Sequence, residues 1–586
     1  MKKKKGKGKK VPQKGDPDYL SPTQLRNRRK RRAKKQQQQS GDDNAANSTN
    51  DSKSTSVNSK SNNIKDPSMK YISNPIKAPI VQAAKRYFQP ILQDCNNSEF
   101  HVHLGPLYKW RTVSKLAVRA AADSTNTKLA IGLFVPQSHT LLPVPNCRAH
   151  HPSINHAVEC ITKVCNDVGV QPYQENGSKT NEEGDIIGTG QLRYIAINVA
   201  RETGAVQITL VWNTSPPPSS SKHDEGGKRK HTESIEDLTL KRLVAKLISM
   251  SSDNSSTTAS VKDGKDGSAT NPNDDNCKPS GEQPTKKKRR RGRRDKDNTQ
   301  TNNRSDNNER KEDSPHKARG TKQGNTPNKL NLHSLHINYN ESWKHSNAIF
   351  SFDSSCWQHV YGPQTIIEHL SFDKSREASS KPDILANPKL PNFRIPLHFP
   401  PNVFRQANID AFTNIVARIR ETIQRLGNKS SSSINCVELY GGVGTIGLHI
   451  SDIVSSLVSS DENPNNAKCF YDSVRELPTD IQSRLVYRQK NATDMVTTEK
   501  ALLRNSQVLI VDPPRKGLDD EVVDYLCKEG YKSMKLVVYV SCGFQAFQRD
   551  CDALIKSTKW KVQFAEGYIL FPGSDALETL AFFVPE

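Results

Sequence analysis

From about residue 395 onward, short apolar runs alternate with longer, helix-patterned stretches. The runs are NCVELY, LVYRQ, VLIVD and KLVVYVS. Strands of this length separated by helical segments argue for βαβ units and a parallel sheet. A helix is predicted over 405–426, with Ile409, Phe412, Val416, Ile419 and Ile423 on one stripe and Gly427 at its end. The closing stretch, AEGYILFPGSDALETLAFFV, reads as a final pair of strands. An all-α or all-β carboxy-terminal half does not fit this rhythm.

The rest of the 586-residue chain is uneven. Only 33% of residues are hydrophobic and mean hydropathy is -0.75, too low for a chain packed throughout. The net charge of +24 is concentrated. Residues 1–35 hold 16 Lys/Arg against Asp16 and Asp18, and residues 286–296 hold 9 against Asp295. These two runs supply +22 of the +24, so the folded remainder is close to neutral. Solvated basic runs of this kind suit polyanion attraction or nuclear import. We therefore expect a disordered basic tail over 1–70 and a central α+β domain over 71–214 and 331–394. A low-complexity insertion over 215–330 interrupts that domain, and the βα unit fills 395–586. KLAIGLFV, RYIAINVA, AVQITLVW and LNLHSLHINYN read as strands of the central domain, and NHAVECITKVCNDVG as a helix ending at Gly169. IEDLTLKRLVAKLISM reads as an isolated helix within the insertion. No run of about 18 apolar residues suggests a membrane span, and no hydrophobic segment opens the chain as a secretory signal. The 11 cysteines include no CxxC pair, and reduced thiols in an intracellular protein are the simple reading. The basic runs make the nucleus or nucleolus a candidate location beside the cytoplasm or an organelle.

Three stretches carry chemistry. Val437-Glu438-Leu439-Tyr440-Gly441-Gly442-Val443-Gly444 leads from a strand through a glycine turn towards an expected helix. Glycines let the backbone approach a ligand, and a helix N-terminus favours a negative group. Asp461 closes the next strand about 20 residues on, where an acid can bind ribose hydroxyls. Asp512-Pro513-Pro514-Arg515 makes a rigid turn at the carboxyl edge of a strand. Cys147, His150, His151, His156 and Cys160 have loosely metal-like spacing, but it fits no tetrahedral pattern and reads as structural.

In order, VELYGGVGTIG, SSDENP, VDPPRKG, YVSCG and FPGSDALE resemble the RNA uridine-C5 methyltransferases of transfer and ribosomal RNA. PPNVFRQAN looks like that family's Phe-x-Gln-x-Asn stretch. The resemblance is strong over 395–586 and weaker over 85–214 and 330–394. It implies a Rossmann-like class I methyltransferase domain that uses S-adenosylmethionine and acts on RNA. It implies cofactor contacts at Gln406, Tyr440, Asp461, Asn491 and Asp512, with Thr445 where the family has asparagine. It implies Cys542 as nucleophile and Glu578 as proton acceptor. The chain departs from the family in three ways. Gly543-Phe544 follows the cysteine in place of Asn-Pro, Ala576-Leu577 precedes the glutamate in place of His-Val, and Cys95 stands without the quartet that holds an iron–sulfur cluster. No metal cluster is expected.

Those roles suit the reaction. C5 of uracil is a poor nucleophile until a thiolate adds to C6; a base must then remove the C5 proton. The uridine must leave its stack to be reached. A cysteine at a strand end is otherwise a small buried hydrophobe, and a glutamate in LETLAFFV a surface residue. A cytosine-C5 enzyme carries Pro-Cys at the turn, which this chain lacks. An amino methyltransferase would leave Cys542 idle. The alternative from another class is a non-catalytic RNA-binding or ribosome-assembly factor with the same fold.

Overall fold

The computed structural model describes residues 66–93, 99–121, 128–135, 138, 140–180, 186–217, 237–251, 329–341, 349–351, 353–372, 391, 393–429 and 433–586. All lie in one compact unit spanning residues 64–586. Almost all of the expected tail, the basic run at 286–296 and Cys95 lie outside the described residues.

The larger sheet has eight strands. From one edge they are His101–Leu104, Trp560–Ile569, Glu578–Pro585, Leu536–Ser541, Val508–Val511, Asn435–Leu439, Ser456–Ser460 and Leu485–Arg488. All pairings are parallel except those of Glu578–Pro585, which runs against both neighbours. This single reversed strand, with the chain winding outward from Asn435–Leu439 to both sides, is the Rossmann-like methyltransferase arrangement that the motifs imply. The winding reverses between Asn435–Leu439 and Val508–Val511, and ligands of such sheets bind beyond the carboxyl ends of the strands at that point.

Both faces are covered. Helices Ile409–Lys429 and Pro464–Val474 pack on one, around Cys436, Ile510, Val540 and Leu580. The expected helix is there, shifted by a few residues. Helices Pro79–Ile91, Ala492–Thr498, Asp520–Lys528 and Phe544–Lys556 pack on the other, around Val437, Leu509, Tyr539 and Phe583. After the glycine turn the chain forms a 3-10 turn, Gly447–Ile450, in place of the expected α-helix. That turn therefore presents no α-helix N-terminus to a ligand.

The seven-stranded sheet contains the expected strands Leu129–Phe134, Leu192–Val199, Val206–Trp212 and Leu332–Tyr339. Helix Pro152–Val168 ends at Gly169, whose φ of 79° takes the left-handed conformation that a glycine cap adopts at low cost. Helix Leu238–Ser249 lies within the segment read as an insertion, but it is not isolated. Leu240, Leu243 and Leu247 are fully buried in the core of this sheet.

The expected boundary at residue 71 also shifts. Residues from Asp66 on are already built into the fold: the Tyr71 N–H donates to the Gly573 carbonyl at 2.8 Å. Helix Pro79–Ile91 and strand His101–Leu104 join the larger sheet, not the central domain that should contain them. Their apolar residues alone do not reveal this, because an edge strand of four residues carries almost no periodicity. The two sheets meet where the Thr112 N–H donates to the Ala407 carbonyl at 2.8 Å and Trp110 packs edge-on to Phe571. Arg405 donates to the Val199 carbonyl at 2.9 Å and pairs with buried Glu368.

Candidate active site

Successive side chains of a strand point to opposite faces. Glu438 is two residues from Cys436, Asp512 two beyond Ile510, Cys542 two beyond Val540, and Glu578 two before Leu580. Glu438 and Glu578 therefore project to the face carrying Cys436 and Leu580, and Asp512 and Cys542, one residue beyond their strands, lie close enough to Glu578 for their charges to act on one another. All stand at the carboxyl edge of the parallel strands. Ser541 pairs with Thr579, so Cys542, the next residue, stands opposite Glu578.

Crowding sets the electrostatics. Burial pushes the Glu578 carboxyl up to about 7, with Arg515 opposing. Asp512 is raised well above the carboxylate range by burial, then by the charges of Glu578 and Glu438. The Cys542 thiol is pushed up to about 11 by burial, then by Glu578 and Asp512; Arg515 pulls it down. In this arrangement the thiol keeps its proton. A cation arriving at this edge would relieve three carboxyl groups at once.

The residues after Cys542 explain a departure from the family pattern. A Cβ on Gly543 would lie 2.5 Å from the Arg515 carbonyl oxygen, so only glycine lets the Pro-Pro-Arg loop come this close. Phe544 is buried, edge-on to Tyr87 at 5.9 Å and stacked with Phe547 at 6.2 Å. It starts helix Phe544–Lys556, with Gly543 at its N-cap directly after Cys542. Asp550 of that helix accepts from the Leu518 N–H at 2.8 Å and the Tyr539 hydroxyl at 2.8 Å, and Arg549 donates to the Lys516 carbonyl at 3.0 Å. The helix thereby fixes the loop carrying Arg515.

The glycine turn is built tightly. A Cβ on Gly441 would fall 2.3 Å from Ser459 Oγ. Gly442 has φ +56 and open space where a Cβ would stand. Its N–H donates to Asp461 Oδ2 at 3.1 Å, while Asp461 Oδ1 accepts from the Asn463 N–H at 2.9 Å. Each oxygen keeps a lone pair for a further donor. Tyr440, at φ 59, donates its hydroxyl proton to Asp519 at 3.1 Å. Asn491 caps helix Ala492–Thr498, its Oδ1 accepting from the Asp494 N–H at 2.7 Å. The Thr445 carbonyl accepts from His449, and its half-buried side chain stands on the turn. Gln406 is half-buried between two anchored neighbours, Arg405 and Asn408; Asn408 donates to the Leu570 carbonyl at 2.8 Å. Among the described residues, no hydrogen bond joins Gln406, Thr445 or Asn491 to the Cys542 row.

Sequence reasoning passed over Glu438. Its Oε1 accepts from the Gly447 N–H at 2.9 Å and its Oε2 from Ser459 Oγ at 2.6 Å, and burial holds its carboxyl near 7. A lone acid inside the apolar strand NCVEL was the available signal.

Cys147, His150 and His156 of the metal-like group have structural partners. The Cys147 thiol donates to Asp66, His150 lies between Ser114 and Asn155, and His156 meets the Lys329 carbonyl. Among the described residues, no group of three or more His, Cys, Asp or Glu could hold a metal ion. No helix among them is long and apolar enough to cross a membrane.

No protein-family model matches the chain. A protein of Protochlamydia amoebophila named as an uncharacterized RNA methyltransferase is 26% identical over 513 residues, 88% of this chain and 93% of that protein. The 23S rRNA (uracil(747)-C(5))-methyltransferase RlmC of Xenorhabdus nematophila is 26% identical over 190 residues, 32% of this chain. The match spans 46% of that relative's length. Among solved structures, the tRNA (uracil-54, C5)-methyltransferase of Pyrococcus abyssi, in complex with S-adenosyl-L-homocysteine, aligns with TM-score 0.46 and 15% identity. That alignment covers 86% of this chain and 83% of the other. The resemblance read from the motifs thus agrees with what the chain is similar to. The two sequence relatives are bacterial and lend nothing to a nuclear location.

Proposed function

We propose that this chain is an RNA methyltransferase that uses S-adenosylmethionine and modifies C5 of a uridine, with Cys542 as nucleophile and Glu578 as base. One observation carries the reading. A thiol and a carboxyl group face each other across adjacent strands, at the edge where a glycine turn, Asp461 and Asp512 converge. The relatives' names support RNA methylation; the cysteine mechanism rests on the site.

The donor set fits the cofactor. Gly442 leaves open space beside Asp461, whose remaining lone pairs suit ribose hydroxyls. The crowded carboxyls of Glu438, Asp512 and Glu578 favour a cation. Tyr440, Asp461, Asn491 and Asp512, with Gln406 and Thr445 beside them, would hold it. When bound, it supplies an electrophilic methyl group on a positively charged sulfur.

The chain's own residues do the rest. Arg515 lowers the Cys542 thiol only in part against burial and the Glu578 and Asp512 charges, so the thiolate needs those carboxyls neutralised by a bound cation. With its proton lost to solvent, Cys542 Sγ bonds to C6, and the C5–C6 π pair moves into an enolate that makes C5 nucleophilic. Once C5 carries the methyl group, Glu578 takes the C5 proton. The freed pair restores the C5–C6 double bond as the Sγ–C6 bond breaks. A base with a carboxyl near 7 is matched to proton transfer at neutral pH.

The test is Cys542→Ala. It should abolish C5-methyluridine formation on RNA while keeping cofactor binding, and only the parent should form a covalent adduct with 5-fluorouridine RNA. Neither adduct nor methyl transfer in the parent would overturn the proposal; cofactor binding without turnover would favour an assembly factor. Mapping C5-methyluridine in RNA from cells with and without the protein identifies the substrate.

A further inference from the structure

The row that contains Cys542 and Glu578 does not end there. Glu578 pairs with Tyr568, and Tyr568 pairs with His103 on the edge strand His101–Leu104. Glu578, Tyr568 and His103 thus stand side by side on three adjacent strands, with Cys542 just beyond the end of the fourth. The His103 and Tyr568 rings are stacked, 4.6 Å between centroids and 21° between planes. His103 Nε2 lies 3.1 Å from Glu566 Oε2. That carboxylate is fully buried, and it also accepts from the Tyr568 hydroxyl at 2.8 Å and from Arg418 at 3.2 Å. The imidazole is therefore held at two points, yet its side chain is 42% exposed. Tyr568 covers one ring face, and the other looks off the edge of the sheet.

A rigid, flat ring with one covered and one open face is a stacking platform. Strands are about 4.8 Å apart, so this platform lies about 10 Å from Glu578 and about 14 Å from Cys542. That is too far for the target uridine and suits a neighbouring nucleotide. Drawing a uridine out of its stack leaves its neighbours without a partner, and unpaired bases stack on aromatic side chains whatever their identity. We propose that the open face of His103 stacks an unpaired base flanking the target uridine, holding the RNA while the target lies between Cys542 and Glu578. The proposal rests on the RNA methyltransferase reading above.

Two variants separate stacking from support of Glu566. His103→Ala removes both, whereas His103→Phe keeps a stacking ring and cannot bond to Glu566. In steady-state methyl transfer, His103→Ala should raise KM for RNA on the order of tenfold, the loss falling on KM more than on kcat. His103→Phe should recover most of it. A Phe variant as impaired as the Ala variant would overturn the proposal. A second readout does not need turnover. A short RNA hairpin with one loop uridine carries 2-aminopurine on its 5′ or 3′ side, and full-length protein is added. Fluorescence should be quenched by the parent and by His103→Phe at one of the two positions, and not by His103→Ala. Quenching at neither position, or quenching that survives His103→Ala, would overturn it. A parent that binds and quenches without transferring methyl groups would sink the enzyme reading and leave the stacking platform standing.

Discussion

Glu578 carries opposite demands. As the proposed base it must be ionised, yet its place between Cys542 and Tyr568 makes ionisation costly. Its folded carboxyl, near 7, lies above the usual 4.5, so the folded protein holds this proton more tightly than the unfolded chain. The ionisation cost is absent below about 4.5, grows as pH rises, and is complete above about 7. It is on the order of 3 kcal/mol. Glu578→Gln should therefore melt at a higher temperature than the parent at pH 8, with the gap closing towards pH 5. The same variant should lose methyl transfer, since an amide cannot take the C5 proton. Equal melting temperatures at both pH values would refute this account of the site. Motif order singles out Cys542 and Glu578 in the sequence as the proposed pair. Their facing each other is not legible there, because the pairing of Ser541 with Thr579 joins residues 38 apart.

At the scale of elements, Cys542, the proposed nucleophile, is followed directly by a helix it does not belong to. Phe544 opens helix Phe544–Lys556 and packs against Tyr87 and Phe88 of helix Pro79–Ile91. The family's Asn-Pro would place neither this ring in the core nor a glycine against Arg515. Phe544→Ala should cost about 3 kcal/mol in urea denaturation, the usual loss for a buried phenylalanine. It should also slow adduct formation with 5-fluorouridine RNA, because the helix start next to Cys542 would shift. A loss below about 1 kcal/mol would mean the contact with helix Pro79–Ile91 is loose. Most elements of this sheet were readable from their pattern. Val508–Val511 and Leu536–Ser541 are short β-branched runs, and the 405–426 stripe matches helix Ile409–Lys429 within a few residues. The 3-10 turn after Gly444 was not. Glu438, nine residues earlier, accepts the Gly447 N–H there, a side-chain demand that competes with local helix propensity. Helix Leu238–Ser249 was visible, but its packing partner, helix Pro152–Val168, was not, since it lies far earlier in the sequence.

At the scale of the whole molecule, the sequence suggested a catalytic unit beginning near residue 395, and the sheet contradicts that. Strand His101–Leu104 completes one edge, and helix Pro79–Ile91 covers Phe544 and Phe547 on one face. Val81, Ala84 and Phe88 of that helix are fully buried. A chain cut to 395–586 would bare this face and leave strand Trp560–Ile569 as an unpaired edge, the kind of surface that drives aggregation. The 395–586 fragment should therefore be insoluble or lack fixed tertiary structure by near-ultraviolet circular dichroism. A chain of residues 66–586 should melt in one cooperative transition and bind S-adenosylmethionine. A soluble, cooperatively melting 395–586 fragment would show that residues 66–104 merely decorate the catalytic sheet. The outcome also bears on His103, which can belong to the active edge only if its strand is part of the catalytic unit and not of the domain in front of it.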